Sequence, residues 1–251
     1  MIIEILEEFG EIHPERLAAN FGTRFIADPQ RGYGHAMHSL LPELADNPQH
    51  WKKLAPQLFK GSGSFGNGAA MRVAPIGAFF ADDLDTVVKQ AALSAMITHS
   101  HPEGIAGALA VALAAALAWR HKSSPVDPAD FLQQICERIP MSEVHLRIAK
   151  ALALLENTTV EQAASVLGSG AQVSAQDTVP FCLWAAALHL NHYEEAMWAT
   201  VSGLGAIATL PALSSVESLS CPPASKSIPP SWIKEREPIP VWFLYSGPEP
   251  V

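Results

Sequence analysis

The sequence predicts an all-α protein. Three observations carry that expectation: apolar residues recur at three- and four-residue spacings, successive segments bring their own helix-start residues, and no stretch alternates as a half-buried strand would. With 49% hydrophobic and 16% charged residues over 251 positions, the chain has the apolar surface for an ordered core. The expected architecture is a compact multi-helix bundle over residues 1–213, followed by an irregular Pro- and Ser-rich tail over 214–251.

In chain order, Ile2, Ile5, Leu6 and Phe9 make one apolar face, and Gly10 is placed to end that helix. Pro14 suits the first turn of a second helix, whose buried face runs Leu17, Phe21, Phe25. Residues 28–34 (DPQRGYG) are turn chemistry. The patterning then predicts helices at about 36–46, 48–59, 83–98, 103–121 and 128–138. Ser142 is placed to cap a helix carrying Val144, Ile148, Leu152 and Leu155. Thr158 or Thr159 offers a capping box with Glu161 or Gln162, and Asn191 offers a similar cap with Glu194. Asp177 is expected to cap a helix through Leu190, with Pro180 in its first turn. Beyond residue 213, Pro222, Pro223, Pro229, Pro230, Pro238, Pro240, Pro248 and Pro250 forbid a long helix. A tail that is extended and packed through Trp232 and Trp242, or else partly disordered, is expected there.

Composition narrows the functional classes. A formal net charge of −9 disfavours nucleic acid and anionic membranes, which call for a basic surface. A small phosphate-bearing ligand held locally by backbone amides stays open. Cys136, Cys182 and Cys221 are far apart and without CxxC spacing, which fits reduced thiols rather than disulfides or zinc. The longest apolar run, Ile105 to Trp119, is shorter than the roughly 20 residues of a membrane span and reads as a buried core helix. The N-terminus carries no signal-peptide pattern, so a soluble, cytoplasmic protein is expected.

Two segments carry chemistry. The first is GSGSFGNGAAMRVAP (61–75), where glycines alternate with small polar residues ahead of a helix start. Glycine lets the backbone turn tightly and approach a ligand, and successive N–H groups form a concave nest for an anion. A helix N-terminus behind such a loop suits a phosphate or diphosphate, although the same cluster also serves as a structural crossing between helices. The second is THSHPEG (98–104), a polar junction between two apolar helices. His99 and His101, with His35 and His38, fit helix-terminal residues satisfied by backbone better than a metal site, given their spacing and the absence of a thiolate. Asp82, Asp83, Asp85 and Thr86 look like a metal motif but read as the capped, acidic first turn of a helix. Glu103 is read in the same way.

In the order RGYG (31–34), GSGSFGNGAAMRVAPIG (61–77), THSHPEGIAGA (98–108), DTVPFCLW (177–184) and SGLG (202–205), the chain resembles the ADP-ribosylglycohydrolase family. The likeness extends to about residue 210 and returns at IPPSW (228–232). The resemblance implies an all-α bundle around a dinuclear magnesium site that cleaves ADP-ribose from modified side chains. By the same resemblance, Gly63, Ser64, Phe65, Gly66, Asn67 and Gly68 match the loop that wraps the diphosphate and distal ribose. His99 matches a residue lying against the nucleotide. The implied partner is ADP-ribose or an ADP-ribosylated protein.

The pattern breaks at the metal. One family motif, Thr-Asp-Asp-Thr, precedes the helix in which Met1 lies. The other, Gly-Asp-x-Asp-Thr, aligns with Gly205, Ala206, Ile207, Ala208 and Thr209, so both aspartates read as alanine and only Thr209 remains as a vestigial ligand position. Magnesium wants a near-octahedral set of oxygens supplied largely by carboxylates. The expectation is therefore a chain that does not bind the two ions, with no catalytic residue assigned. It is either inactive or restricted to ADP-ribose binding. A hydrolase completed by an upstream segment or a partner chain is the first alternative, and a non-catalytic helical scaffold the second.

Overall fold

The computed structural model describes residues 1–122, 124, 126–190, 192–203 and 229–235. Among them the fold is all-helical, and the one pairing outside helices is an isolated antiparallel bridge between Gly66 and Ser174. The helices are α1 (Ile2–Phe9), α2 (Pro14–Ala27), α3 (Met37–Asp46), α4 (Trp51–Gly61), α5 (Gly68–Arg72), α6 (Ala74–Phe79) and α7 (Leu84–Met96). They continue with α8 (Pro102–Arg120), α9 (Pro128–Cys136), α10 (Glu143–Ala153), α11 (Val160–Leu167), α12 (Ala175–Leu188), α13 (Tyr193–Ser202) and α14 (Pro230–Glu235).

Local chemistry sets most of the helix ends. Gly10 closes α1 in the left-handed region, at φ 72°. Pro14 opens α2, which buries Leu17, Phe21 and Phe25 as the spacing predicts. Asp83 caps α7 by accepting from the N–H groups of Asp85 and Thr86, so the acidic run is helix-start chemistry. Ser142 caps α10 through the His145 N–H, and Thr159 with Gln162 forms the reciprocal capping box of α11. α4 stops early: Leu58, Phe59 and Lys60 leave helical dihedrals, and the chain turns into the glycine segment there.

α8 is the axis of the bundle, and α5, α6, α7, α9, α10 and α12 all pack on it. Every residue from Ala106 to Ala118 is buried. Its run of alanines presents little bulk, so neighbouring helices come close on all sides. Gly77 of α6 lies against the Ala112 carbonyl, and a Cβ on Gly107 would stand 2.8 Å from the Ala175 side chain. The helix is long and apolar enough to cross a membrane by composition, yet 78% of that window is buried inside the protein. It is the core helix that the sequence implies. Cys182 is buried and Cys136 half-buried; burial pushes the Cys136 thiol up to about 11 and the Cys182 thiol higher still, as expected of core thiols.

The start of α12 differs from expectation. The helix begins at Ala175 behind Ser174, places Asp177 one turn inside, and ends at Leu188 rather than Leu190. Asp177 does not cap its own helix; its carboxylate accepts from the Gln172 N–H at 2.8 Å and fastens the preceding loop. Pro180 consequently sits in the helix interior. Its missing N–H leaves the Gln176 carbonyl without a helical donor, and Arg147 of α10 supplies one at 3.0 Å. In the tail, the segment expected to be extended contains the short helix α14, with Pro230 as its first residue. Trp232 packs between Tyr193 and Trp198, at ring distances of 6.2 and 5.8 Å. The Asn191 cap, Cys221 and Trp242 lie outside the described residues.

Candidate functional site

Three inter-helix loops meet at the N-terminal end of α8: residues 62–67, 97–101 and 168–174. The glycine loop is stitched to the last of these by two backbone bonds. Ala175 N–H donates to Phe65 at 2.9 Å, and Asn67 N–H donates to Val173 at 3.2 Å. On the other side Gly63 lies against Ser100 and the His101 amide, where any side chain would collide, and its φ of 74° also demands glycine. Gly104 rests on the Ser64 carbonyl, leaving a Cβ only 2.7 Å of room. The starts of α5, α8 and α12 thus lie beside one short loop, with the Ala175 and Glu103 N–H groups already bonded to Phe65 and His101.

The side chains of the loop divide into two sets. Ser64 and Asn67 are turned inward, at 5% and 3% exposure. Ser64 accepts from the Gly66 N–H at 3.2 Å, and the Asn67 amide donates to Thr178 at 3.0 Å. Both shape the loop. Phe65 faces outward, with Phe59 and His101 at ring distances of 6.2 and 5.4 Å. Gly66 and Gly68 flank the imidazole of His99, where Cβ atoms would come within 3.3 and 3.0 Å of Nε2. The hydroxyls of Ser100 and Ser174, enclosed beside the loop, have no partner. Two enclosed hydroxyls without a protein partner, beside a glycine-rich loop, suit oxygen acceptors. Gly63, Ser64, Phe65, Gly66, Asn67, Gly68 and His99 lie together in this part of the fold.

Sequence reasoning missed the support beneath His99. His99 is 6% exposed, and its Nδ1 is 2.7 Å from the Thr98 hydroxyl. Arg72, on the last turn of α5, donates to that hydroxyl at 2.8 Å, to the Ser94 carbonyl at 3.0 Å and to the Gly68 carbonyl at 3.2 Å. Its guanidinium lies 4.7 Å above the Phe21 ring. Burial lowers Arg72 to about 10, so it stays charged at neutral pH. Burial first, and the nearby Arg72 charge second, hold His99 down at about 3, so its ring is neutral. The one sequence signal for Arg72 is a lone cation in an otherwise apolar short helix.

Glu103 and His101 have structural work. His101 caps α8 by accepting from the Glu103 N–H at 3.1 Å. Glu103 reaches across to the first turn of α10, accepting from Glu143 and Val144 N–H groups at 2.8 and 2.9 Å. Its carboxylate is helix-start chemistry, though for a different helix from its own. His38 packs edge-on against Phe25 at 5.2 Å, away from the loop.

The expected vestigial metal position, Thr209, lies outside the described residues. Among the described residues no three His, Cys, Asp or Glu side chains gather into a cation site. Ala206 and Ala208, which the resemblance sets against the family's second aspartate motif, lie outside the described residues as well. One hydroxyl does not replace several carboxylates.

The helical bundle and its glycine loop define a class: the chain matches the ADP-ribosylglycohydrolase model over residues 1–214 and belongs to that family. It is 30% identical to "ADP-ribosylhydrolase ARH3" of Xenopus tropicalis, over 74% of this chain and 57% of that protein. It is 32% identical to the Homo sapiens protein of the same name, over 71% of this chain and 52% of that one. An uncharacterized protein of Archaeoglobus fulgidus is 28% identical over 74% of this chain and 57% of its own length. The chain thus spans about half the length of the curated relatives it matches.

Proposed function

We propose that this chain binds an ADP-ribosyl group at the glycine loop without carrying out the magnesium-dependent cleavage of its family. The observation that carries this reading is a contrast within one sequence. The loop from Gly63 to Gly68 keeps its full form around His99, whereas Ala206 and Ala208 stand where the family places metal-binding aspartates. The unpartnered Ser100 and Ser174 hydroxyls beside the loop offer donors to a diphosphate or a ribose. Nothing at the matched positions offers the charge needed to hold two divalent ions or to activate water through them. His99 supplies a neutral, partly fixed ring edge rather than an acid. The proposed ligand is ADP-ribose, free or attached to a protein side chain, and the proposed setting is the cytoplasm.

Two competing readings have an observation each. A purely structural loop is favoured by the inward bonds of Ser64 and Asn67, which serve the fold whether or not a ligand binds. A hydrolase completed by further polypeptide is favoured by the half-length match to the relatives. Titration calorimetry with ADP-ribose, in magnesium and in chelator, separates all three. The proposal expects saturable heat that is the same in both conditions, and no release of ADP-ribose from a modified protein. Absence of heat in both supports the structural loop. Magnesium-dependent turnover by this chain would sink the proposal.

A further inference from the structure

We propose that Arg72 and Thr98 are positioning residues that fix His99 as the tautomer protonated at Nε2, so that its N–H donor lies at the glycine loop beside Gly66 and Gly68. The inference rests on the reading of that loop as a ligand site, but its core stands on hydrogen-bond geometry alone.

Arg72 is the start of the chain of donors. A guanidinium donates and never accepts, so its 2.8 Å contact with the Thr98 hydroxyl occupies a lone pair of that oxygen. The hydroxyl keeps one proton to give, and His99 Nδ1 lies 2.7 Å away. Giving that proton to Nδ1 satisfies both atoms. The reverse arrangement, with Nδ1 donating, would leave the hydroxyl proton with no described acceptor. It would also point an N–H toward the cationic side of the site. Nδ1 therefore accepts, and the proton of the neutral ring resides on Nε2.

The far edge of the ring completes the argument. Among the described residues no acceptor meets Nε2, and the two nearest backbone positions are glycines whose Cβ atoms would crowd it at 3.3 and 3.0 Å. A donor with no protein partner, on an edge kept clear of side chains, suits a ligand oxygen: a phosphate oxygen or a ribose hydroxyl. Burial and the Arg72 charge keep the ring from becoming a cation, so the interaction is a directed hydrogen bond rather than an ion pair. Arg72 also donates to the Gly68 carbonyl, tying the same cation to the glycine loop.

Long-range proton–nitrogen spectra of the 15N-labelled chain at neutral pH read the tautomer directly. The wild type should show His99 as a single species protonated at Nε2. Thr98→Val, which keeps shape and removes the hydroxyl, should lose that single pattern, and Thr98→Ser should restore it. Arg72→Met should broaden it toward a mixture. ADP-ribose should shift the Nε2 resonance, and Thr98→Val should bind it about tenfold more weakly, with Thr98→Ser close to wild type. An Nδ1-protonated wild type, or a pattern indifferent to Thr98→Val, overturns the proposal. Correct spectra with no response to ADP-ribose support the tautomer assignment and reject the ligand reading instead.

Discussion

Val173 holds a φ of 54° with its side chain 54% exposed, while its carbonyl receives the Asn67 N–H of the glycine loop. A β-branched residue in the left-handed region stores strain, of order 1–3 kcal/mol, and an exposed side chain recovers little of it. Val173→Asn keeps the backbone bond and relieves the strain, since asparagine tolerates that region. It should raise stability by about 1 kcal/mol, or about 2–4 °C in melting temperature. His99 gives the opposite kind of effect. Its ordinary value of 6.5 falls to about 3 in the folded chain, so the unfolded state binds more protons between those values. The stabilisation is full above about pH 6.5 and drains away as pH falls toward 3. Between pH 7 and pH 5 the wild type should lose about 2 kcal/mol through this residue. Urea midpoints at the two pH values test it: His99→Gln should show a shallower decline, and equal slopes would refute the assignment.

At the scale of elements, α10 shows how one carboxylate fastens two helices. Glu103, on the first turn of α8, takes two of the four N–H groups that the start of α10 leaves without helical partners. Glu103→Ala should cost about 1–2 kcal/mol in chemical denaturation, with Glu103→Gln losing less because one oxygen acceptor survives. The packing of α6 on α8 is stricter. Gly77→Ala drives a methyl into the Ala112 carbonyl, and backbone cannot step aside as a long side chain would. A loss of about 1–3 kcal/mol is expected from overpacking, seen as a lower melting temperature. These elements also show what sequence could and could not disclose. α2, α7, α10 and α11 were legible because each carries a one-sided apolar face or a capping residue that acts locally. α12 was misplaced because it is buried on all sides, so no face marks its start, and Ser174 and Asp177 both have cap chemistry. Neither side chain caps it: the Ser174 hydroxyl has no partner, and the Asp177 carboxylate accepts from the Gln172 N–H of the preceding loop, while Arg147 of α10 meets the carbonyl that Pro180 leaves free.

Across the whole molecule, the glycine loop adds a second tie between the two halves of the chain, beside the packing of both on α8. Its bonds run forward to α12 and its glycines rest on the start of α8, so the loop's integrity and the bundle's cohesion depend on each other. The loop itself was readable from its glycines. Its footing was not, because Arg72 and Thr98 stand 26 positions apart and meet only once α5 and α7 pack. That coupling has a global consequence. A ligand bound only by the assembled loop stabilises the entire fold by mass action. At a concentration 100 times its dissociation constant, ADP-ribose should add about 2.7 kcal/mol, which for a chain of this size is about 5–10 °C in melting temperature. Because Ala206 and Ala208 offer no charge to a divalent ion, replacing magnesium by chelator should leave that shift unchanged. Gly63→Ala, which collides with Ser100 and strains a φ of 74°, should abolish the shift and lower the starting temperature as well. A melting curve that rises with ADP-ribose only when magnesium is present would mean that carboxylates from elsewhere complete the site, and the binding-only reading would fall.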